Sequence, residues 1–498
     1  MAASSSFLSR WLGRAGDDRP AFHDSRGTTT WRDAVASADR IAAALLEGRR
    51  SLDGERVGLL VSPGASFAAC FFGVQRAGGV VIVLSPLHPA PETRYFCEDA
   101  RVRTVVVSPE LADRVSFLAP ERRVVLVEAL ASAHGSRAAV PADPRDEDPA
   151  LQLYTSGTTG KPKGAVITHG NLAVQQALLG EAWGWRADDV LLHALPLHHM
   201  HGLAIALLSA IGAGAATRFL PAFEARATWE AMGDASVLMA VPTIHAKLFA
   251  AFDAADDAAR ARWGEHGRAL RLVTSGSAAL PVTIGERWRA LTGAYPLERF
   301  GMTEIGVGTS NPLAPDGRRP GTVGLPLRSV ETRIVDDELW IAGPSVFAGY
   351  HEREQANREA FVVEDGRRWF KTGDTVGRDA DGYVRILGRT SVDILKSGGY
   401  KLSALEIEEV LREHAGVAEV AVVGMPDATW GERVVACVVP REGREDDCGE
   451  EALRGFALER LAPYKAPRQV VLMKELPRNA VGKVMKPELV KRLGEIFA

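Results

Sequence analysis

Residues 55–85, "ERVGLLVSPGASFAACFFGVQRAGGVVIVLS", consist of two short apolar runs with a longer apolar segment between them. The outer runs, 55–62 and 79–85, have the length and continuity of buried strands, and the central segment has the length of a helix. Two strands joined through a helix lie parallel, and helices then cover the faces of their sheet. This stretch therefore predicts an α/β fold.

The same alternation extends outward through the first two-thirds of the chain. "RTVVVS" (103–108) predicts another strand, and "AAFDAADDAARARWGEHGR" (250–268) predicts a polar, alanine-rich helix. Strands that alternate with helices in this way are typical of parallel sheets. We expect a large N-terminal domain of helix-covered, mostly parallel β-sheets over residues 1–388.

Near residue 388 the pattern changes to that of a compact α+β unit. "LSALEIEEVLREH" (402–414) has apolar residues at helical spacing, and "VAEVAVVGMP" and "RVVACVVP" are typical of strands. The remaining ~110 residues are a usual size for a domain. We therefore predict a second domain over residues 389–498, joined to the first by a glycine-rich hinge at residues 388–401.

Composition and charge exclude several classes of protein. Of 498 residues, 46% are hydrophobic and 24% are charged, which is typical of a soluble globular protein. The net charge of −4, with both signs mixed, argues against nucleic acid as a partner. No apolar run reaches the ~18–20 residues that cross a membrane. The stretch from Gly202, "GLAIALLSAIGAGAA", instead predicts a buried helix.

The four cysteines, Cys70, Cys97, Cys437 and Cys448, form no C-x-x-C pair. Their spacing argues against a zinc site or a disulfide framework and predicts a reducing compartment. The start, "MAASSSFLSRWLGRAG", is similar to a transit peptide, but a first helix explains it better because fold-like sequence follows at once. We therefore expect a cytoplasmic protein.

Residues 154–164, "YTSGTTGKPKG", combine hydroxyl residues, glycines and two lysines. Glycines let the backbone approach a ligand closely, and amide and hydroxyl groups can then surround an anion. The Walker motif G-x-x-x-x-G-K-[ST] does not fit this spacing. The stretch alone is equally consistent with another kind of phosphate loop and with a mobile surface turn.

Other apolar segments also end in polar clusters, and each cluster has an ordinary explanation as well. The histidines of "LPLHHMHG" (195–202) indicate a metal site or, more simply, satisfied or pocket-lining side chains. "ERFGMTE" (298–304) could be a salt-bridged turn, and "WFKTGD" (369–374) could end in a helix cap. "TSGSAALP" (274–281) is a strand end of small residues, and "PRNAVGKVMK" (477–486) could be an exposed loop.

Taken in order, "YTSGTTGKPKG", "GMTE", "KTGD", "GR", "GGYK" and "PRNAVGK" resemble the adenylate-forming superfamily of acyl-CoA synthetases, firefly luciferases and peptide-synthetase adenylation domains. The resemblance runs from about residue 20 to the end of the chain. One motif departs, because Trp369 and Phe370 stand where the family's "YxKTGD" begins with a tyrosine. The resemblance implies an acid–thiol ligase whose small C-terminal domain rotates on a hinge.

The resemblance implies that ATP, Mg²⁺ and coenzyme A bind to this chain. In the family, the loop around residues 155–164 holds the β- and γ-phosphates, Thr303 and Glu304 serve the α-phosphate and the metal, and Asp374 and Arg389 hold the ribose. The full set implied for ATP or AMP is Thr155, Ser156, Gly157, Thr158, Thr159, Gly160, Lys161, Lys163, Gly276, Ser277, Ala278, Thr303, Asp374 and Arg389.

The implied reaction has two halves. A substrate carboxylate attacks the α-phosphorus of ATP and releases pyrophosphate, and a thiolate then attacks the acyl-adenylate and releases AMP. Lys483 matches the family's lysine for the first half. Between the halves the small domain rotates around residues 390–393. The residues implied for this hinge and for coenzyme A are Asp393, Lys396, Ser397, Gly398, Gly399 and Lys401.

Within the superfamily the nearest resemblance is to malonyl-CoA synthetases, through "PLHHMHGL", "VPTIHAKLF", "SGSAALP" and "ERFGMTEIG". A short dicarboxylate needs a cation for its distal carboxylate, because burying that charge unpaired is costly. Lys247 and Arg299 stand where the family places such cations, although many bacterial members have arginine at the first position. His199, His201 and Ser275 complete the implied acyl site. His199 is also counted as catalytic, with Lys483, Glu304 and Thr303.

Three alternatives remain open from the sequence. The first is a monocarboxylate ligase of the same superfamily. The second is an enzyme that loads an acyl-carrier protein and does not use free coenzyme A. The third is a non-enzymatic adenylate sensor, which is poorly supported because Lys483, Glu304 and Asp374 are all present.

Overall fold

The computed structural model describes residues 6–132, 144–155, 161–478 and 484–497. Some of the predicted site residues lie outside these ranges, namely Ser156, Gly157, Thr158, Thr159, Gly160 and Lys483.

The helices of the described residues follow in chain order. They are α1 (Phe7–Leu12), α2 (Trp31–Leu46), α3 (Ala65–Arg76), α4 (Ala90–Asp99), α5 (Val127–Ala131), α6 (His169–Ala182), α7 (Leu208–Ala213), α8 (Ala225–Ala231), α9 (Pro242–Asp253), α10 (Asp257–Ala269), α11 (Val282–Thr292), α12 (Glu354–Ala360), α13 (Ala404–Arg412), α14 (Glu450–Leu458) and α15 (Lys486–Phe497). A π-helix, His201–Leu207, leads directly into α7.

The strands of the same ranges also follow in chain order. They are β1 (Pro20–Asp24), β2 (Gly27–Thr30), β3 (Arg56–Leu60), β4 (Val80–Val83), β5 (Thr104–Val107), β6 (Arg123–Leu126), β7 (Pro149–Thr155), β8 (Lys163–Thr168), β9 (Val190–His193), β10 (Ala216–Phe219), β11 (Val237–Ala240), β12 (Leu272–Ser275), β13 (Leu297–Met302), β14 (Gly306–Ser310), β15 (Leu325–Pro326), β16 (Glu331–Val335), β17 (Glu338–Ala342), β18 (Gly349–Tyr350), β19 (Phe361–Glu364), β20 (Arg367–Arg378), β21 (Val384–Arg389), β22 (Ile394–Ser397), β23 (Tyr400–Ser403), β24 (Val417–Asp427), β25 (Gly431–Pro440) and β26 (Gln469–Leu472).

The chain divides into two compact units. The large unit comprises Met1–Glu331 and Ile341–Phe370, and the small unit comprises Thr332–Trp340 and Lys371–Ala498. The small unit thus begins earlier in the chain than residue 389. The predicted domain boundary between residues 388 and 389 stays a prediction.

The strand–helix–strand pattern of residues 55–85 is confirmed in the large unit. Strands β3 and β4 are parallel, with Val57 opposite Val81, and β5 pairs with the other edge of β3. Every residue of β3 after Arg56 is buried because helices cover both faces of the sheet. Helix α3 buries Phe67, Phe71 and Phe72 against this sheet and its neighbouring helices.

Two sheets form the framework of the large unit. Within the described residues, one has the strand order β18-β8-β7-β4-β3-β5-β6, and the other has the order β15-β14-β13-β12-β11-β9-β10-β1-β2. Most neighbouring strands are parallel, and antiparallel pairs occur toward the edges, as between β1 and β2 and between β13 and β14. The predicted class, helix-covered and mostly parallel sheets, is confirmed.

The small unit contains both helices and strands, as the predicted α+β class requires. One of its sheets has the order β23-β22-β25-β24, with β26 parallel to β25. Alternate residues of β24 face opposite sides: Val420 and Val422 pack with α13 and α14, whereas Ala421 and Val423 pack with α15. Period-two alternation thus buries both faces of the same strand.

One predicted helix is wrong in its extent. The stretch 250–268 forms the end of α9 and all but the last residue of α10, with a break at residues 254–256. Asp256 begins the second helix, because its side chain accepts a hydrogen bond from the amide of Ala259. An aspartate at the N-cap favours a new helix start over a continuous helix.

All four cysteines are buried and free. Burial raises the pKa of each thiol, to about 11 for Cys97 and about 12 for Cys437. The pKa values of Cys70 and Cys448 are raised for the same reason. In the part of the chain that the structure describes, no helix combines the length and apolarity needed to cross a membrane.

Candidate active site

Four adjacent strands of the larger sheet lead into predicted site residues. Strands β9, β11, β12 and β13 run parallel and neighbour one another in that order. The histidine run follows β9, helix α9 follows β11, the small residues 276–278 follow β12, and Thr303 and Glu304 follow β13. Ligands of open α/β sheets bind beyond the carboxyl ends of such strands. The predicted residues therefore share the edge at which this architecture places a site.

Arg299 lies within β13 and is almost completely buried, with 3% of its surface exposed. Its Nε and Nη2 atoms have no hydrogen-bond partner among the described residues. Burial lowers the pKa of Arg299 to about 9, so the guanidinium remains charged at neutral pH. A buried cation without a counter-ion is costly, and it is therefore a candidate for binding an anionic ligand.

Gly276 leaves the space that the Arg299 guanidinium occupies. A Cβ atom on residue 276 would lie 2.5 Å from Nε and 2.8 Å from Nη1 of that arginine. The next residue, Ser277, has φ +70°, a left-handed conformation that costs about 1–3 kcal/mol in a non-glycine residue. Its hydroxyl lies 3.3 Å from Nδ1 of His201. The residues that follow β12 thus leave just enough space for the Arg299 guanidinium.

The histidines beside this strand end are neutral. Burial lowers the pKa of His198 to about 2 and that of His199 to about 4. Burial, together with the charge of Arg299, places the pKa of His201 well below its usual value. The Nε2 atoms of all three have no partner within the described ranges, and neither does the buried Oγ of Ser275. Neutral imidazoles can donate or accept hydrogen bonds, so this group provides polar contacts but no further cation.

Lys247 is not part of this buried group. It lies on an exposed position of α9, whereas His245 of the same helix is fully buried and bonds to Thr274 and Trp288. No ion pair links Lys247 to a carboxylate in the described part of the chain. Its assignment to the acyl site stays a prediction.

Glu304 follows β13 and is 95% buried, with 5% of its surface exposed. The hydroxyl of Tyr350 donates a hydrogen bond to Glu304 Oε1 over 2.9 Å. Thr303, beside it, is half-buried. A buried carboxylate held in place is suited to a hard divalent cation, which prefers oxygen ligands.

The described ends of the phosphate-loop stretch meet as strands. Thr155, the last residue of β7, lies opposite Lys163, the first residue of β8. The ammonium of Lys161 lies 5.4 Å from the ring centroid of Tyr95, and that of Lys163 lies 5.3 Å from the ring centroid of Tyr350. Cation–π contacts of this kind restrain the two lysines.

Among the residues that the structure describes, no group of three or more His, Cys, Asp or Glu side chains could hold a metal ion. The histidine run is therefore explained better as pocket lining. Mg²⁺ in nucleotide enzymes usually has only one or two carboxylate ligands, with phosphates and water completing its shell. Glu304 fits that pattern.

Asp374 and Arg389 come together in the small unit. They are directly opposed on the antiparallel strands β20 and β21, with Arg389 Nε 3.4 Å from Asp374 Oδ1. Asp374 is buried, with 5% of its surface exposed. The structure thus brings together the two residues predicted to hold the ribose.

Asp393 connects β21 to the C-terminal helix. One oxygen accepts the backbone amide of Arg389 over 3.0 Å, and the other accepts the ammonium of Lys486 over 2.5 Å. Lys486 also contacts Glu408 over 2.7 Å, and both of these side chains are buried. This charged cluster joins the predicted hinge residue to two helices of the small unit.

Residues 396–401 form the tip of the hairpin β22–β23. Ser397 pairs with Tyr400, and the two residues between them, Gly398 (φ +59°) and Gly399 (φ +83°), form the turn. Two successive positive φ values define a type I′ turn, which glycine adopts without strain. Lys396 and Lys401 flank it on exposed positions, and Lys401 pairs with Asp337 over 2.8 Å.

Two residues that contact the predicted site residues are not indicated by any sequence motif. Tyr350 lies 46 positions beyond Glu304, in "AGYHE", which contains no recognisable cluster. Lys486 ends the "PRNAVGKVMK" stretch, where an exposed lysine is the default expectation. Only the fold shows that the first meets Glu304 and that the second is buried.

Family models match most of the chain. The model described as "AMP-binding enzyme" matches residues 8–351, and the one described as "AMP-binding enzyme C-terminal domain" matches residues 406–483.

Similar proteins include two named malonate–CoA ligases. The mitochondrial enzyme ACSF3 of Bos taurus is 39% identical, over 96% of this chain and 88% of that protein. The Arabidopsis thaliana enzyme is 38% identical, over 90% of this chain and 79% of its own length. Among solved structures, ATP-bound MatB from Rhodopseudomonas palustris has a TM-score of 0.90 at 33% identity and covers 99% of this chain and 100% of that one.

Proposed function

Since this chain belongs to the family of AMP-binding enzymes, we propose that it is an ATP-dependent malonate–CoA ligase. It is an AMP-forming acyl-CoA synthetase. In the first half-reaction a malonate oxygen attacks the α-phosphorus of ATP, and pyrophosphate leaves with the electron pair of the broken P–O bond. In the second, the thiolate of coenzyme A attacks the acyl carbon, and AMP leaves.

The observation that carries the choice of acid is Arg299. The guanidinium is buried and charged, and two of its nitrogens have no partner among the described residues. A distal carboxylate would supply those partners and neutralise the charge. The neutral His199, His201 and Ser275 would then provide hydrogen bonds around the same anion. A monocarboxylate would leave Arg299 uncompensated.

The remaining site residues keep the roles that the family resemblance implies. Lys483 would bring a positive charge between the two reacting anions, and the loop containing Ser156–Gly160 would hold the departing pyrophosphate. Asp374 and Arg389 would hold the ribose, which their facing positions support. Lys396–Lys401 would serve the thiol step after rotation about Asp393.

We also propose that the nucleotide binds with Mg²⁺. Glu304 would hold the ion, which would neutralise phosphate charge and polarise the phosphoryl oxygens. The buried position of Glu304 and its hydrogen bond from Tyr350 support this assignment.

Coenzyme A is the acceptor that fits best, because the related enzymes are named as CoA ligases. No observation on this chain favours a carrier protein. A cytoplasmic location and a place in fatty acid metabolism complete the proposal, although the cattle relative is named as mitochondrial.

The test is a pyrophosphate-release screen of the purified chain with malonate, methylmalonate, acetate, propionate and butyrate. Each acid is assayed with and without coenzyme A, and the thioester is identified by mass spectrometry. We expect malonate to give the highest kcat/KM, methylmalonate to follow, and malonyl-CoA to form only when coenzyme A is present. A preference for butyrate would disprove the dicarboxylate proposal. Pyrophosphate release from malonate without formation of malonyl-CoA when coenzyme A is present would disprove coenzyme A as the acceptor.

A further inference from the structure

Tyr350 contacts two predicted site residues that lie far apart in the sequence. Its hydroxyl donates to Glu304 Oε1 over 2.9 Å, and its ring faces the ammonium of Lys163 at 5.3 Å. Glu304 follows β13 of one sheet, whereas Lys163 begins β8 of the other. One side chain thus connects the carboxylate assigned to the metal with the phosphate-loop strand.

The backbone around Tyr350 is fixed on both sides. Strand β18 pairs antiparallel with β8, which places Tyr350 opposite Ala165. The side chain of Asn357 accepts the amide of Tyr350 over 2.7 Å and donates to its carbonyl over 2.9 Å. Nearby, the amide of Phe347 donates to the carbonyl of Glu304 over 2.8 Å. These bonds fix the backbone positions of Tyr350 and Glu304, whose side chains form the hydrogen bond.

Packing alone would require only the ring. Phe347 already packs edge-on against Tyr350, with 4.9 Å between ring centroids, and a phenylalanine at position 350 could keep that contact. The hydroxyl adds a hydrogen bond to a buried carboxylate, and bonds to charged groups are both stronger and more directional than neutral ones. Groups that orient a metal-binding carboxylate in this way affect metal affinity without touching the ion.

We propose that Tyr350 is a positioning residue for the metal–nucleotide complex. Its hydroxyl orients the Glu304 carboxylate for the divalent cation, and its ring restrains Lys163 beside the phosphates. The proposal rests on the assignment of this chain as an ATP-using enzyme, and it is independent of which acid is activated.

Metal binding is the readout that tests it. Mn²⁺, as a spectroscopic substitute for Mg²⁺, is titrated by electron paramagnetic resonance into the enzyme with a non-hydrolysable ATP analogue, without acid or coenzyme A. We expect Tyr350→Phe to weaken Mn²⁺ binding by about 10- to 100-fold, the usual effect of losing such a partner. Tyr350→Leu also removes the ring from Lys163, so it should additionally weaken binding of the analogue measured without metal.

A double-mutant cycle separates positioning from a general structural effect. Glu304→Gln alone should weaken Mn²⁺ binding, and adding Tyr350→Phe to it should change the affinity little, because the two groups act through one contact. Tyr295→Phe is the matched control, since that buried tyrosine packs against Arg289 and precedes β13, whereas Glu304 follows β13. It should leave Mn²⁺ affinity unchanged.

An Mn²⁺ affinity of Tyr350→Phe within twofold of the wild type would overturn the proposal, as would strictly additive effects in the cycle. Failure of the wild type to bind the metal with the analogue would overturn both this proposal and the assigned ATP chemistry. Failure to use malonate, with metal binding intact, would overturn the choice of acid alone.

Discussion

Asp374 and Arg389 face each other across an antiparallel strand pair, with 3.4 Å between Oδ1 and Nε. The sequence separates them by 15 positions, and the β20–β21 hairpin closes that separation. An ionised carboxylate only accepts hydrogen bonds. Two adjacent hydroxyl groups on a ribose are donors that match such an acceptor.

Asp374→Asn should therefore reduce discrimination between ATP and 2′-deoxy-ATP. Wild type should prefer ATP, because a hydrogen bond to a charged group contributes about 1.5–3 kcal/mol. The measurement is the ratio of kcat/KM for the two nucleotides. Asp379→Asn is the control, since Asp379 accepts the backbone amides of Asp381 and Tyr383 in the adjoining turn. An unchanged ratio in Asp374→Asn would remove this residue from the ribose site.

Arg299→Leu should reduce kcat/KM for malonate steeply. Removing one partner of a buried charge pair typically costs about 2–5 kcal/mol, whereas butyrate gains an apolar pocket. The malonate-to-butyrate ratio is the quantity to measure. Lys247→Met should lower this ratio less, since Lys247 is exposed and its stem is easily replaced by water. A ratio that neither substitution moves would contradict both assignments.

Gly276→Ala should act through Arg299. The added methyl group would overlap the guanidinium, so the guanidinium must shift. We expect malonate kcat/KM to fall at least tenfold, about 1.4 kcal/mol, with butyrate less affected. Gly180→Ala on α6 is the matched control, because a Cβ there meets no atom within 4 Å. Equal losses for both acids in Gly276→Ala would indicate damage to ATP binding instead.

Lys483→Ala should separate the two half-reactions. The sequence assigns this lysine to the first step, so adenylate formation should lose about 3 kcal/mol or more of transition-state stabilisation. Conversion of supplied malonyl-adenylate and coenzyme A to the thioester should persist. Pyrophosphate exchange measures the first step, and thioester formation measures the second. Adenylate formation at the wild-type rate would refute the assignment.

The cluster around Lys486 should make the stability of the small unit pH-dependent. Burial alone would lower the pKa of Lys486, but attraction to Glu408 and Asp393 and the hydrogen bonds with them raise it above 10.5. A raised pKa stabilises the folded state below the unfolded value, and this contribution is lost as pH rises through the folded value. The free energy of unfolding should therefore fall above about pH 10.5.

Denaturant titrations between pH 7 and 11 provide the test. Lys486→Met should be destabilised by about 3–5 kcal/mol at pH 8, because two carboxylates lose their common cation. Its free energy of unfolding should also decrease less than that of the wild type as the pH is raised. Lys491→Met is the control on an exposed position of the same helix. Identical pH profiles for wild type and Lys486→Met would contradict the linkage.

The order of motifs predicted the superfamily and the architecture correctly, because these depend on local pattern. The strand–helix–strand unit at residues 55–85 is visible as apolar runs, and the facing of Asp374 and Arg389 follows from a short hairpin. The fold class and the relation to malonate–CoA ligases are both confirmed.

Other features depend on contacts that no local pattern encodes. Tyr350 meets Glu304 only because β18 pairs with β8. The break between α9 and α10 depends on the single capping side chain of Asp256 within an otherwise helical composition. Lys486 is buried because two carboxylates from elsewhere in the small unit reach it. Long-range pairing, more than residue type, determines these positions.

The buried cysteines have a consequence for an enzyme that makes a mixed anhydride. An acyl-adenylate reacts with any thiolate it meets, and the protein's own thiolates would compete with coenzyme A. Raised pKa values keep Cys97 and Cys437 in the unreactive thiol form, and none of the four side chains is accessible. The protein's own thiols are thereby protected from acylation. Loss of free thiol in a colorimetric assay would accordingly report coenzyme A alone.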